Sequence, residues 1–256
     1  MIPMFYYYGG KARSAGRYPA PQRRLIIEPF AGAAGYSMYH ICKDRRLECL
    51  LVEKDERVVA VWKMLLGMSA EEMLNYPVPE IGETTDDMFL MTSTASNGVA
   101  ATNIMTVTRR LVRNIGFMKR RVAKILGAGV GARIEVVHGE YYSAPDEDAT
   151  WFIDPPYTSP LREKSPRAGG NGYAFGCRAA DLDFEKLGRW CRTRRGQAMV
   201  CEYADATWLP FRRLYGTANG LGKRYSEGIW TNAPRTLNVP PWSKTHAQGT
   251  GTEENG

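Results

Sequence analysis

Short apolar runs and amphipathic stretches alternate along this chain. Leu25-Ile26-Ile27 is a continuous apolar run that stops at Glu28-Pro29, the pattern of a strand buried on both faces. Gly32 and Gly35 follow, and a helix is expected from about residue 35 to 43. Leu50-Leu51-Val52 repeats the strand pattern and ends in Glu53, and a second helix is expected over 56–66. Strand, glycine-containing turn, helix, strand and acid, in that order, open a nucleotide-binding α/β sheet.

The pattern then changes. Residues 67–102 are polar and rich in Met and Thr, and no element is assigned there. Ile104, Val107, Leu111, Ile115, Met118, Val122 and Ile125 recur every three or four positions, which predicts an amphipathic helix over 104–126. Sheet patterning resumes at Ile134–Val137, before His138-Gly139-Glu140, and at Trp151-Phe152-Ile153, which ends in Asp154. Residues 158–180 are rich in Gly, Pro and basic side chains and read as a mobile loop. A helix over 182–191, a strand at 198–200 and a late strand at 227–230 follow. Residues 1–24 read as loop, and the chain from Pro240 onward as a polar tail.

Composition narrows the class. The chain has 256 residues, 44% of them hydrophobic, which suffices for a sizeable core. No apolar run reaches the ~20 residues of a membrane span, and Met1–Gly10 is aromatic rather than a leader sequence. The five Cys lack CxxC spacing and the three His lack metal-ligand spacing, so neither a disulfide framework nor a metal is expected. These features suggest a cytoplasmic protein in a reducing compartment. The net charge is +7, and Asn103 to Ile134 holds eight basic residues and no acid. Such a segment suits a polyanionic partner.

The sharpest chemical signal is Asp154-Pro155-Pro156-Tyr157, directly after a buried strand. An acid at the C-terminal end of a sheet strand stands where α/β folds place ligands. Pro155 donates no backbone hydrogen bond, but its carbonyl accepts one. Asp154 and that carbonyl can both accept from one NH2 group, and Tyr157 offers a ring to stack on the base carrying it. An aromatic amine is a weak nucleophile because its lone pair is delocalised. Two acceptors on its hydrogens favour a pyramidal nitrogen with the lone pair directed outward. A base inside a duplex must be flipped out for this, at a cost of roughly a few kcal/mol. Stacking on Tyr157 would return about 1–3 kcal/mol. A rigid surface turn is the plain alternative.

The second signal is Glu28-Pro29-Phe30-Ala31-Gly32-Ala33-Ala34-Gly35. Small residues let a backbone approach a ligand, and amides at a helix start favour a carboxylate. Glu53 lies 18 positions after Gly35, near the ~20-residue offset at which an acid holds ribose hydroxyls. An ordinary turn and a solvated acid are the alternatives.

In order and wording these segments resemble the D12-class (Dam-like, alpha-group) DNA adenine-N6 methyltransferases. Tyr7-Tyr8-Gly9-Gly10-Lys11 is similar to that family's aromatic-x-Gly-Gly-Lys motif, Glu28–Gly35 to its cofactor loop, and Gly139-Glu140-Tyr141 to its Gly-Asp-Phe/Tyr segment. Asp154–Tyr157 matches the catalytic tetrapeptide in full, and Glu227–Asn232 resembles a late Glu-x-x-Trp-x-Asn stretch. Ala34 departs from a common second loop glycine, and Glu53 and Glu140 replace the more usual Asp. The Asn-Arg-x-Cys-Phe-Asn-Gly-like segment of GATC-reading members is absent from the sequence.

The resemblance implies a Rossmann-like, S-adenosylmethionine-dependent methyltransferase sheet. Residues 1–66 and 133–240 would form the catalytic domain, 67–132 a small helical target-recognition insertion, and 241–256 a disordered tail. Asp154, Pro155, Pro156 and Tyr157 would be catalytic. Tyr7, Gly10, Lys11, Phe30, Gly32, Gly35, Glu53, Glu140 and Asp154 would surround S-adenosyl-L-methionine. Arg109, Arg110, Arg113, Arg120, Lys124, Arg162 and Lys164 would contact double-stranded DNA, with Arg167, Arg178, Tyr173 and Phe175 as further loop candidates. The implied reaction is direct methyl transfer to N6 of a flipped-out adenine by a monomer or weak dimer, without a metal or a covalent enzyme intermediate. Methylation of cytosine N4, of RNA, or cofactor and DNA binding without turnover remain compatible with the residues. Pairing with a restriction enzyme, a phage origin and an orphan role are equally open.

Overall fold

The structure is a computed structural model that describes residues 3–7, 9–92, 105–158, 178–218 and 224–232. The tail beyond Pro240, Ile104 and most of the 158–180 loop lie outside the described residues.

Seven strands form the main sheet: β1 (Leu25–Glu28), β2 (Glu48–Glu53), β5 (Ile134–His138), β6 (Ala149–Ile153), β7 (Gly196–Tyr203), β8 (Arg212–Ala218) and β9 (Arg224–Thr231). Their order is β5-β2-β1-β6-β7-β9-β8. The first five are mutually parallel, while β9 runs antiparallel to β7 and β8 antiparallel to β9. This is the Rossmann-like α/β sheet expected from the sequence. Two-residue strands β3 (Thr84–Thr85) and β4 (Met105–Thr106) pair separately.

Neighbouring strand residues divide between two cores, which explains the unbroken apolar runs. Ile26, Leu51, Phe152 and Met199 enter one core; Ile27, Leu50, Trp151, Ile153 and Val200 enter the other. A strand covered on both faces has no polar alternation to display. Helices α1 (Gly35–Ile41) and α2 (Glu56–Gly67) cover the first face, and α6 (Phe184–Arg192) covers the second. Trp62 of α2 is fully buried, and its indole N–H donates to the Gly32 carbonyl at 2.7 Å. Complete burial of such a side chain contributes roughly 1.5–3 kcal/mol.

Between α2 and β5 the described chain adds no strand to this sheet. It forms α3 (Ala70–Leu74), α4 (Met88–Met91) and α5 (Arg109–Gly127), with α3 packed on α5. The periodicity predicted a helix from 104, whereas α5 starts at Arg109. Thr108 stands in extended conformation and its hydroxyl accepts from the Leu111 amide at 3.2 Å, capping the helix there. Likewise α6 starts at Phe184 rather than 182, because the Asp183 carboxylate caps it through the Lys186 amide. Leu111, Ile115, Met118 and Val122 bury one face of α5.

The N-terminal segment is irregular, as expected, but it is anchored. Met4 and Phe5 are fully buried, and Phe5 meets Trp62 edge-on at 5.2 Å.

Candidate active site

From β1 the chain moves outward through β2 to β5, then crosses back to β6 on the other side of β1. The switch in direction therefore lies between β1 and β6, where loops from adjacent strands diverge and open a crevice. Glu28 ends β1, and Asp154 directly follows β6. A cleft opens there, at the position where open α/β sheets bind their ligands. Tyr7, Gly10, Lys11, Phe30, Gly32, Gly35, Glu53, Glu140 and Asp154 all line it, together with Tyr141 and Pro156.

Lys11 and Asp154 are paired inside it. Lys11 Nζ lies 2.7 and 2.8 Å from the two Asp154 carboxylate oxygens. The side chains are only 11% and 16% exposed, so solvent screens them weakly. Burial alone would lower the Lys11 ammonium, but the negative charges of Asp154 and then Glu227 raise it well above the ordinary lysine value. Lys11 is thus a fixed cation. Its approach is set by a turn in which the Gly10 amide donates to the Tyr7 carbonyl at 3.1 Å and Gly9 takes a positive φ of 74°.

The glycines of the β1–α1 loop answer to this N-terminal turn. Gly32 has φ +47°, and a Cβ there would come within 2.6 Å of the Tyr7 ring. At Gly35 a Cβ would come within 2.4 Å of the Ala12 backbone nitrogen. At both glycines the chain packs closely against its own N-terminal turn, and both also line the cleft. Ala34 occupies the left-handed region at φ 46°, a conformation that favours glycine and costs another residue roughly 1–2 kcal/mol. The sequence placed a carboxylate at the start of α1, and the chain supplies one itself: Glu28 accepts from the Ser37 amide at 2.6 Å. Burial pushes the Glu28 carboxyl up to about 8.

Glu53 also has local partners. Its two oxygens accept from the Gly32 amide at 2.7 Å and the Asp55 amide at 2.8 Å. Burial raises its carboxyl above the ordinary range. Each carboxylate oxygen has a further lone pair, so this clamp leaves capacity for a ligand hydroxyl. On the same side, Phe30 stacks on Tyr141 at 5.4 Å, and Glu140 pairs with Lys54 at 2.6 Å.

Pro155 and Pro156 are buried, and Tyr157 is partly buried. Its ring meets three groups. The Lys11 ammonium stands over it at 4.7 Å, Tyr203 meets it edge-on at 5.1 Å, and its hydroxyl donates to Glu227 Oε1 at 2.5 Å. The same oxygen accepts from the Tyr18 hydroxyl at 2.7 Å. Burial raises both phenols well above their ordinary value and keeps them neutral donors. One residue on, the Thr158 amide donates to Glu202 Oε2 at 3.0 Å, and burial pushes that carboxyl up to about 7. Asn232, from the late motif, instead binds the start of β7: its Oδ1 accepts from the Ala198 amide at 2.8 Å.

Arg109, Arg110, Arg113, Arg120 and Lys124 are all exposed on α5, opposite its buried stripe. Arg162, Lys164, Arg167, Tyr173 and Phe175 lie outside the described residues. Arg178 is partly buried before α6.

Sequence reasoning missed Tyr18, Glu202 and Phe117. Glu202 carried a usable signal: like Asp154, it is an acid at the end of a buried apolar strand. Phe117 is 58% exposed amid the α5 basic residues, with the Arg120 guanidinium 5.0 Å from its ring centroid. Tyr18 carried no local signal. Among the described residues no helix is long and apolar enough to cross a membrane. None of those residues forms a group of three or more His, Cys, Asp or Glu able to hold a metal.

The sheet and cleft define the class: a doubly wound α/β protein with a cleft at its switch point. No family model matches the chain, and no curated protein matches it either. Among solved structures it is similar to the mitomycin 7-O-methyltransferase MmcR, at 10% identity and a TM-score of 0.37, over 86% of this chain and 53% of that one. It is also similar to the glycopeptide N-methyltransferase MtfA complexed with S-adenosyl-L-methionine, at 12% identity and a TM-score of 0.34, over 88% of this chain and 68% of that one. The chain thus spans about half the length of the first.

Proposed function

We propose that this chain is an S-adenosylmethionine-dependent DNA methyltransferase of the D12 class, acting on N6 of a flipped-out adenine. The observation that carries the reading is convergence. Asp154 and Pro156 of the Asp-Pro-Pro-Tyr segment open into the same cleft as every residue assigned to the cofactor from sequence.

The cleft's donor set fits that cofactor. Glu53 would hold ribose hydroxyls with its remaining lone pairs, while Phe30 and Tyr141 supply apolar surface for a purine. Lys11 and Tyr7 also line the cleft. S-adenosylmethionine would supply an electrophilic methyl group on a sulfonium. The protein's share is positioning. Asp154, held as an acceptor by Lys11, and the Pro155 carbonyl take the two hydrogens of the amine. An amine docking on Asp154 has to share the carboxylate with the Lys11 ammonium, which also stands over the ring on which the base would stack. The basic face of α5 supplies the sequence-independent attraction to phosphates.

The test is transfer of labelled methyl from S-adenosylmethionine to unmethylated DNA, with product nucleosides identified by mass spectrometry and Asp154→Ala as control. N6-methyladenine from the wild type and not the variant is the expected result. N4-methylcytosine would keep the mechanism and change the base. No transfer to any DNA, despite cofactor binding, would sink the DNA-enzyme reading.

A further inference from the structure

We propose that Glu227 is the positioning residue that sets the plane of the Tyr157 ring at the amine site. The inference rests on the reading of Asp154–Tyr157 as that site. A tyrosine ring turns in a broad torsional well about its Cβ–Cγ bond, so a stacking platform needs a second point of attachment. Glu227 provides it through the Tyr157 hydroxyl at 2.5 Å: the oxygen lies on the rotation axis, but a phenol O–H keeps to the plane of its ring, so an acceptor fixed in space orients that plane.

The holder is itself held. Glu227 is 7% exposed, lies on β9 and stands opposite Tyr203 of β7. Tyr203 is the residue whose ring meets the edge of Tyr157. One rung of the β7–β9 ladder therefore grips Tyr157 twice, at its hydroxyl and at its edge. Tyr18 donates to the same Glu227 oxygen at 2.7 Å and is fixed in turn against Phe152, edge-on at 5.1 Å. Stability alone gives little reason to bury a carboxylate here, since well-packed apolar residues commonly replace buried ionic groups without loss. A phenol hydrogen-bonded to a carboxylate also has a more electron-rich ring. Its face then attracts positive charge more strongly, as its contact with the Lys11 ammonium illustrates. The same face would favour positive charge on an amine held beside Asp154.

The experiment compares the wild-type chain, Glu227→Gln, Glu227→Ala, Tyr157→Phe and the double variant Glu227→Ala/Tyr157→Phe. It measures methyl transfer to unmethylated DNA and cofactor affinity. Glu227→Ala and Tyr157→Phe should each lower kcat by about 10- to 100-fold. The dissociation constant for S-adenosylmethionine should stay unchanged. Glu227→Gln, which keeps an acceptor oxygen, should recover part of the loss. The double variant should be no worse than its poorer single, because both changes remove one contact. Multiplicative losses, or a kcat untouched by Glu227→Ala, would overturn the assignment.

A second readout does not need turnover. 3-Fluorotyrosine placed at position 157 should change its 19F resonance in Glu227→Gln and in Tyr18→Phe. A resonance unmoved by both substitutions overturns the proposal. A shifted resonance in a chain whose wild type methylates no DNA would keep the Glu227 assignment and discard the DNA reading.

Discussion

Lys11 Nζ contacts both carboxylate oxygens of Asp154, across 143 positions of sequence. This ion pair joins the irregular N-terminal segment to the end of a central strand. It makes the cleft a product of two distant parts of the chain and holds the catalytic candidate next to a permanent cation. Removing one partner of a buried pair strands the other charge.

Lys11→Met should therefore lower stability by about 3–5 kcal/mol, read as a reduced melting temperature. The sign with pH follows from the raised ammonium. A basic group raised on folding contributes stability below its unfolded value and loses it only as pH rises through its folded one. The gap between wild type and variant should stay constant from about pH 7 to about pH 9. A gap that closes in that window would show the pair to be weaker than its geometry.

Glu28 has the opposite tendency. Its carboxyl rises from 4.5 to about 8 because burial disfavours the charge. Across that interval the folded state binds more protons than the unfolded state, so stability falls as pH rises, by at most about 1.4 kcal/mol per pH unit. Glu28→Gln should flatten this slope and leave stability at about pH 4 little changed. Chemical denaturation of both proteins across the range provides the comparison.

Gly32 is expected to tolerate no side chain. Gly32→Ala adds a methyl that meets the Tyr7 ring at 2.6 Å in a left-handed conformation. The expected loss is about 1–3 kcal/mol with weaker cofactor binding. Adding Tyr7→Ala should restore part of the stability by removing the clash but not the backbone strain. Calorimetry on the two variants separates these contributions.

The α5 face should behave as a phosphate surface. Substituting Gln for Arg109, Arg113 and Arg120, one at a time, should weaken DNA binding similarly across sequences. Each loss should reduce the salt slope of binding by about one. A variant that instead changes the methylated sequence would identify a base-reading side chain. Fluorescence anisotropy at several salt concentrations, with sequencing of the methylated sites, tells the two apart.

Local pattern carried the strands of the sheet's centre. Leu25–Ile27, Leu50–Val52 and Trp151–Ile153 read as buried strands because both of their faces are covered, which forces continuous apolar runs. The acids at their ends, Glu53 and Asp154, were legible for the same reason: polarity resumes where the sheet stops. The helix over 109–127 was legible from its period, and only its start was misplaced, since a threonine cap is set by one hydrogen bond rather than by periodicity. Strand β8 was not legible. Arg212-Arg213-Leu214-Tyr215 at a sheet edge needs apolar cover on few of its side chains, so no pattern marks it.

The sequence by itself determined the sheet's central strands, the positions of the acids that end them and the basic helix. Each depends on neighbours within a few residues and on the period of burial. Only the tertiary structure decided that Tyr7 fills the space over Gly32, that Lys11 closes on Asp154, and that Glu227 and Tyr18 hold Tyr157. Those contacts join segments far apart in the chain, and their partners are chosen by strand order and by the packing that follows from it. A one-dimensional pattern records how much of a side chain is buried; which distant group it is buried against is settled by the fold.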